Sequence, residues 1–197
     1  MKRESGILLH ISSLPTKYGI GTLGEEAYRF IDFLKRAGQR YWQILPMNPI
    51  NEENCPYQSS SCFAGEPLFI SLQKLHEQKL LTEDEAVSLQ KLLRDEMRID
   101  YDAVRPAKTA LLRKAHQRFA EAIEEESAAA VSLRKPYEDF CRQEDWWLDD
   151  YALFMALADY YACTSGKACG QGMRKSAERA QDPVPRRRLA AVGGRHP

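Results

Sequence analysis

The sequence predicts an α/β fold built on a parallel sheet, and three stretches predict it. Gly6-Ile7-Leu8-Leu9-His10-Ile11 and Tyr41-Trp42-Gln43-Ile44-Leu45 are short, continuous apolar runs, the pattern of strands buried on both faces. Between them lies an amphipathic helix, with Glu25 and Glu26 in its first turn, Ala27, Phe30, Ile31 and Leu34 on one face, Lys35 and Arg36 at its end and Gly38 as its cap. Strand, helix and strand then make a right-handed βαβ unit.

Ser12 to Tyr18 reads as a loop, and Gly19-Ile20-Gly21-Thr22-Leu23-Gly24 fits the G-x-G-x-x-G spacing of a dinucleotide-binding turn. The context argues against that chemistry. A Pro15-containing loop separates the strand from the first glycine, and the second strand, running on into Pro46-Met47, has no acidic residue for a ribose. These glycines are read instead as shaping a loop and its entry into the helix.

Cys55-Pro56-Tyr57-Gln58-Ser59-Ser60-Ser61-Cys62-Phe63-Ala64-Gly65-Glu66-Pro67-Leu68 is a loop by chemistry, broken by Pro56, Gly65 and Pro67. It follows the second strand, where α/β proteins place binding groups. Tyr57 has a ring face suited to sugar C–H groups, and its hydroxyl and the Gln58 amide suit sugar hydroxyls. A loop pinned by its own aromatics is the alternative reading.

From Pro67 to Tyr161 the pattern is helical. A segment from Leu68 ends at Leu80-Leu81, and Thr82-Glu83-Asp84-Glu85 is a capping box for a helix reaching about Arg94. Residues 98–102 read as a connector, with Pro106 in the first turn of a long helix that turns Leu112, Ala115, Phe119 and Ile123 inward. Pro136 opens a further helix, and Trp146 to Leu157 is apolar enough to be buried nearly all round.

The 197 residues carry 28 Lys or Arg and 28 Asp or Glu, so no global charge favours nucleic acid or an anionic membrane. The balance is uneven: residues 162–197 hold eight basic against two acidic residues, leaving 20 against 26 in residues 1–161. This last segment has no Phe, Trp or Tyr, and it is expected to be a disordered basic tail. No apolar run is long enough to span a membrane and no signal-type segment leads the chain, which points to the cytoplasm. Five cysteines, an odd number without zinc-type spacing, are expected as free thiols. No metal or cofactor is expected.

With these residues laid out, the chain resembles the N-terminal part of the 4-α-glucanotransferases, the amylomaltases or disproportionating enzymes. The resemblance runs through residues 6–15, Tyr18-Gly19-Ile20-Gly21, Leu23-Gly24, residues 37–46, Pro56-Tyr57-Gln58-Ser59, Phe63-Ala64-Gly65 and residues 147–157. It implies the N-terminal portion of an α-amylase-type (β/α)8 TIM barrel, incomplete here, with residues 67–145 as a mostly helical insertion in a 1–161 unit and with residues 162–197 as an unrelated tail. It also implies transfer of α-1,4-glucan segments to a glucose or oligosaccharide acceptor with retention, and a glucan-contacting loop at Tyr57, Gln58, Cys55 and Ser59. The family usually has Ser at Cys55, Phe at Ser60 and Asn at Glu66. Its catalytic carboxylates lie on later strands, so no catalytic residue is assigned, and a truncated, inactive fragment is expected. The alternative is a non-catalytic module that binds glucan or a protein.

Overall fold

A computed structural model describes residues 3–92, 98–124 and 128–164. Contacts divide the chain into two compact units, Met1–Arg142 and Gln143–Pro197. The first opens with strand β1 (Gly6–Leu8), helix α1 (Glu25–Arg36) and strand β2 (Tyr41–Gln43). The strands pair in parallel, Gly6 with Tyr41, Ile7 with Trp42 and Leu8 with Gln43. Arg40 N–H to Ser5 O and Leu9 N–H to Gln43 O extend the ladder by one bond at each end.

The expected βαβ unit is therefore present, but its strands are shorter than the apolar runs and are not buried on both faces. Leu8 and Tyr41 are 58% and 59% exposed, and only Ile7 and Trp42 turn partly inward. Apolar content records that a strand needs neighbours. Within the described residues each strand has one, so its other edge and one face stay open. The same openness leaves Ile31 of α1 exposed, whereas Ala27 and Leu34 are buried.

Helix α1 starts and stops as its residues dictate. Gly24 is its N-cap, and Gly38, with φ of 68°, closes it in the left-handed conformation that glycine adopts without strain. Gly38 N–H reaches Lys35 O and Gln39 N–H reaches Leu34 O, the paired bonds of a Schellman motif. Upstream, Gly21 lies so close to the turn at Ile11–Ser13 that a Cβ would fall 1.9 Å from Ile11 O. These glycines serve chain packing and helix entry.

Beyond the loop, α2 (Leu72–Glu77) and α3 (Glu83–Ser88) lead to the long α4 (Tyr101–Glu124) and to α5 (Ala128–Gln143). The Thr82–Glu85 capping box forms with both of its reciprocal bonds. Its helix passes into a 3-10 turn at Leu89–Leu92, and the expected end near Arg94 lies outside the described residues. Helix α4 begins five residues before Pro106. Asp100 caps it, its carboxylate accepting from Ala103 N–H at 3.1 Å, and local capping overrides the positional preference of proline. Pro136 likewise falls inside α5 rather than opening it.

The inward face of α4 is Val104, Lys108, Leu111 and Ala115, not the expected Leu112, Phe119 and Ile123. It meets Ile11, Leu14, Ile20, Leu68, Phe69, Leu72, Leu81 and Leu89 in one core. In the second unit, α6 (Asp145–Thr164) is exposed at Trp146 (61%), Leu153 and Leu157, contrary to the expected all-round burial. It is the only helix that lies wholly within that unit among the described residues.

Candidate functional site

The loop following β2 is built on two asparagines that composition alone does not single out. Asn51 O accepts from Asn54 N–H at 3.0 Å, and Asn51 Oδ1 accepts from Cys55 N–H at 3.0 Å. Asn54 sits at φ of 57°, a region that asparagine tolerates better than other side chains. Asn51 Nδ2 then donates to Gln58 Oε1 at 2.7 Å, and Cys55 O accepts from Gln58 N–H at 3.3 Å. The segment 51–58 is thus a closed set of small turns.

The four residues read as ligand-contacting differ in what they offer. Tyr57 is 71% exposed at the tip of the turn, its ring and hydroxyl directed away from the core. Gln58 has its carbonyl oxygen held by Asn51, which orients its NH2 group as a donor. Cys55 is half-buried and enters the turn through its backbone. The Ser59 hydroxyl is engaged inside the loop, donating to Ser61 O at 2.8 Å and accepting from Ser61 N–H at 3.3 Å. Ser61 Oγ in turn accepts from Phe63 and Ala64 N–H, both at 3.1 Å.

The two ends of the loop meet at Glu66, which is buried. Its Oε2 accepts from Ile50 N–H at 2.7 Å and its Oε1 from Leu68 N–H at 3.1 Å, while its own N–H reaches Met47 O at 2.8 Å. The two oxygens of the Glu66 carboxylate thereby join both flanks of the loop. Lys108, with no exposed surface, donates from Nζ to Leu68 O at 2.6 Å. Burial lowers its pKa to about 7, and the Glu66 and Glu26 carboxylates oppose that shift.

On the same helix, Arg105 Nη2 donates to Asn54 Oδ1 at 2.8 Å and Asn51 O at 3.4 Å. Tyr101 lies one turn earlier, and burial raises its pKa. Asn51, Asn54, Glu66, Arg105 and Lys108 were not anticipated from sequence. The available signal was the pair Arg105 and Lys108, three residues apart and flanked by the core positions Val104 and Leu111.

At the end of β1, burial lowers the His10 pKa, and its ring meets Phe69 edge-on at 5.2 Å. No group of three or more His, Cys, Asp or Glu that could hold a metal ion occurs among the described residues. Cys55, Cys62 and Cys141 are free thiols.

A short parallel sheet, a helix between its strands and a rigid polar loop carrying an exposed tyrosine define an α/β protein with its candidate site just past the second strand. Comparison with known proteins makes this particular: the chain belongs to the glycoside hydrolase 77 family, described as 4-alpha-glucanotransferase, which matches residues 9–190. That match runs beyond residue 161, where the motifs quoted above end. The 4-alpha-glucanotransferase of Clostridium butyricum is 46% identical over 149 residues, 76% of this chain and 28% of the relative. That of Thermus thermophilus is 39% identical over 180 residues, 91% of this chain and 34% of the relative. Among solved structures, an amylomaltase from Streptococcus agalactiae in complex with acarbose aligns with a TM-score of 0.71 and 35% identity. The alignment covers 82% of this chain and 30% of that one. The chain therefore spans about 30% of the length of the curated relatives it matches.

Proposed function

We propose that this chain carries the N-terminal glucan-contacting part of a 4-α-glucanotransferase, an enzyme that moves α-1,4-glucan segments to a glucose or oligosaccharide acceptor with retention. β1 and β2 are then the first two strands of a (β/α)8 barrel, and the loop at 55–59 lies beyond the C-terminal end of the second, the side on which such barrels bind substrate. The observation that carries the reading is Tyr57, an aromatic left 71% exposed on a loop whose own hydrogen bonds hold it rigid. A ring presented this way can lie on the apolar face of a glucose unit, with the Gln58 NH2 beside it for a sugar hydroxyl. That the structural relative was solved with acarbose supports a sugar ligand.

Retaining transfer needs two carboxyl groups about 5–5.5 Å apart, one to form the glycosyl-enzyme and one to protonate the leaving oxygen and then activate the acceptor. No residue of the family motifs in this chain takes either role, so we assign substrate contact here and no catalytic group. We also propose a cytoplasmic location, which the free thiols of Cys55, Cys62 and Cys141 among the described residues support. No helix among the described residues is long and apolar enough to cross a membrane.

The test is titration of the 197-residue chain with maltoheptaose, together with chromatography of maltotriose incubated with it. The reading predicts weak binding that Tyr57→Ala abolishes, and no disproportionation. Transfer at rates typical of enzymes, roughly 1–10³ s⁻¹, would place a catalytic pair within this chain and refute the assignment.

A further inference from the structure

Helix α4 presents three polar side chains along one face, Tyr101, Arg105 and Lys108, spaced so that they point the same way. Two of them reach separate segments, Arg105 meeting Asn51 and Asn54 and Lys108 meeting Leu68. These segments are the entry and the exit of the loop that carries Tyr57. Placing a lysine without exposed surface in a core is costly unless it is paired. Here its Nζ has the carbonyl of Leu68, the residue whose N–H is held by the Glu66 carboxylate that ties Ile50 to Leu68.

We propose that α4 positions the glucan loop, with Arg105 setting its entry through Asn51 and Asn54 and with Lys108 and Glu66 setting its exit. The inference rests on the reading of that loop as a glucan contact. Arg105 is a positioning residue, because its guanidinium acts through Asn51, whose side chain in turn holds Cys55 N–H and Gln58 Oε1. It also neutralises no carboxylate in this contact: both acceptors are amide oxygens, one of them on a residue in the left-handed region. Such a bond selects a loop shape rather than balancing a charge. The helical segment between the loop and α6 is thereby given a role in the site, although none of its residues is placed against the sugar.

The test uses the full chain and the thiols already present. Cys55 is half-buried in the loop, and Cys141 is half-buried on α5, away from it in sequence. Alkylation by iodoacetamide is followed at each cysteine by peptide mass spectrometry. Arg105→Gln is expected to speed Cys55 alkylation by about tenfold through local opening, with Cys141 unchanged. Asn54→Gly, which removes the side-chain acceptor and keeps the left-handed conformation, is expected to act similarly. The double variant should add little to Arg105→Gln, since that substitution already removes the bond to Asn54 along with the longer one to Asn51 O. An unchanged Cys55 rate, a rise shared equally by Cys141, or fully additive effects would each overturn the proposal. Maltoheptaose is expected to protect Cys55 in the wild type, at about tenfold lower concentration than in Arg105→Gln. Absence of protection in the wild type would refute the glucan reading of the loop, while the sugar-free rates would still decide whether α4 positions it.

Discussion

Lys108 Nζ donates to the main-chain oxygen of Leu68 at 2.6 Å inside the hydrophobic core, with no exposed surface on the lysine. Burial holds its pKa at about 7, below the ordinary 10.5, against the opposing pull of Glu66 and Glu26. The unfolded chain therefore binds the proton more tightly than the folded one between pH 7 and 10.5, and stability should rise with pH across that window. A tenfold difference in proton affinity is worth about 1.4 kcal/mol, so the rise amounts to a few kcal/mol at most. Urea denaturation at pH 7 and pH 10 should show it in the wild type. Lys108→Met should be flat over the same range, and an equal rise in both would remove Lys108 as its source.

Arg118 on α4 donates to both oxygens of Glu85, the carboxylate of the α3 capping box, through Nη1 at 2.5 Å and Nη2 at 3.0 Å. This guanidinium and the Thr82 backbone N–H hold the Glu85 pKa at about 2, against 4.5. The stabilisation is present above pH 4.5 and is lost as pH falls from there towards 2. Glu85→Gln should cost on the order of 1 kcal/mol at pH 7 and nothing by pH 2, read as the difference between two urea midpoints. A constant difference at both pH values would mean that the charge is not what Arg118 reads.

Leu8, Ile31, Phe33 and Tyr41 are all more than 40% exposed on β1, α1 and β2, and among the described residues each strand has an unpaired edge. An open apolar edge is a template for another chain. The 197-residue polypeptide should elute from size exclusion as large species, and Leu8→Lys with Phe33→Lys should shift it towards the monomer. A wild-type monomer with protected amides at Ile7 and Leu8 would show that these edges are covered.

Features that depend on neighbouring residues were readable in the sequence. Helix α1 with Glu25 and Lys35 at its ends, Gly38 after it, and the Thr82–Glu85 box all appear where their residues place them. Strand length was not readable, because Leu9 to Ile11 and Ile44 to Leu45 have the same apolar character as the paired residues, and pairing depends on distant chain. The inward face of α4 was misjudged because a lysine counts as polar in any periodicity, whereas Lys108 is accommodated by Leu68 O, 40 residues away. The exposed Tyr57 was legible as a candidate from its loop. Its supports Asn51, Asn54 and Arg105 were not, since the link from α4 to the loop spans more than 50 residues.

Whether Tyr57 touches glucan is tested most directly in a working barrel. Residues 5–161 of this chain would replace the matching stretch of the Clostridium butyricum 4-alpha-glucanotransferase, and maltotriose disproportionation would be followed with Tyr57 and with Tyr57→Ala. Loss of one aromatic contact of this kind is worth about 1 kcal/mol or more, so the account predicts an active chimera whose kcat/KM falls at least about fivefold on the substitution. Cys55→Ser should change it less, because a thiol is a weak hydrogen-bonding group. An active chimera with the same kcat/KM for Tyr57 and Tyr57→Ala would contradict the account and leave the loop a structural element.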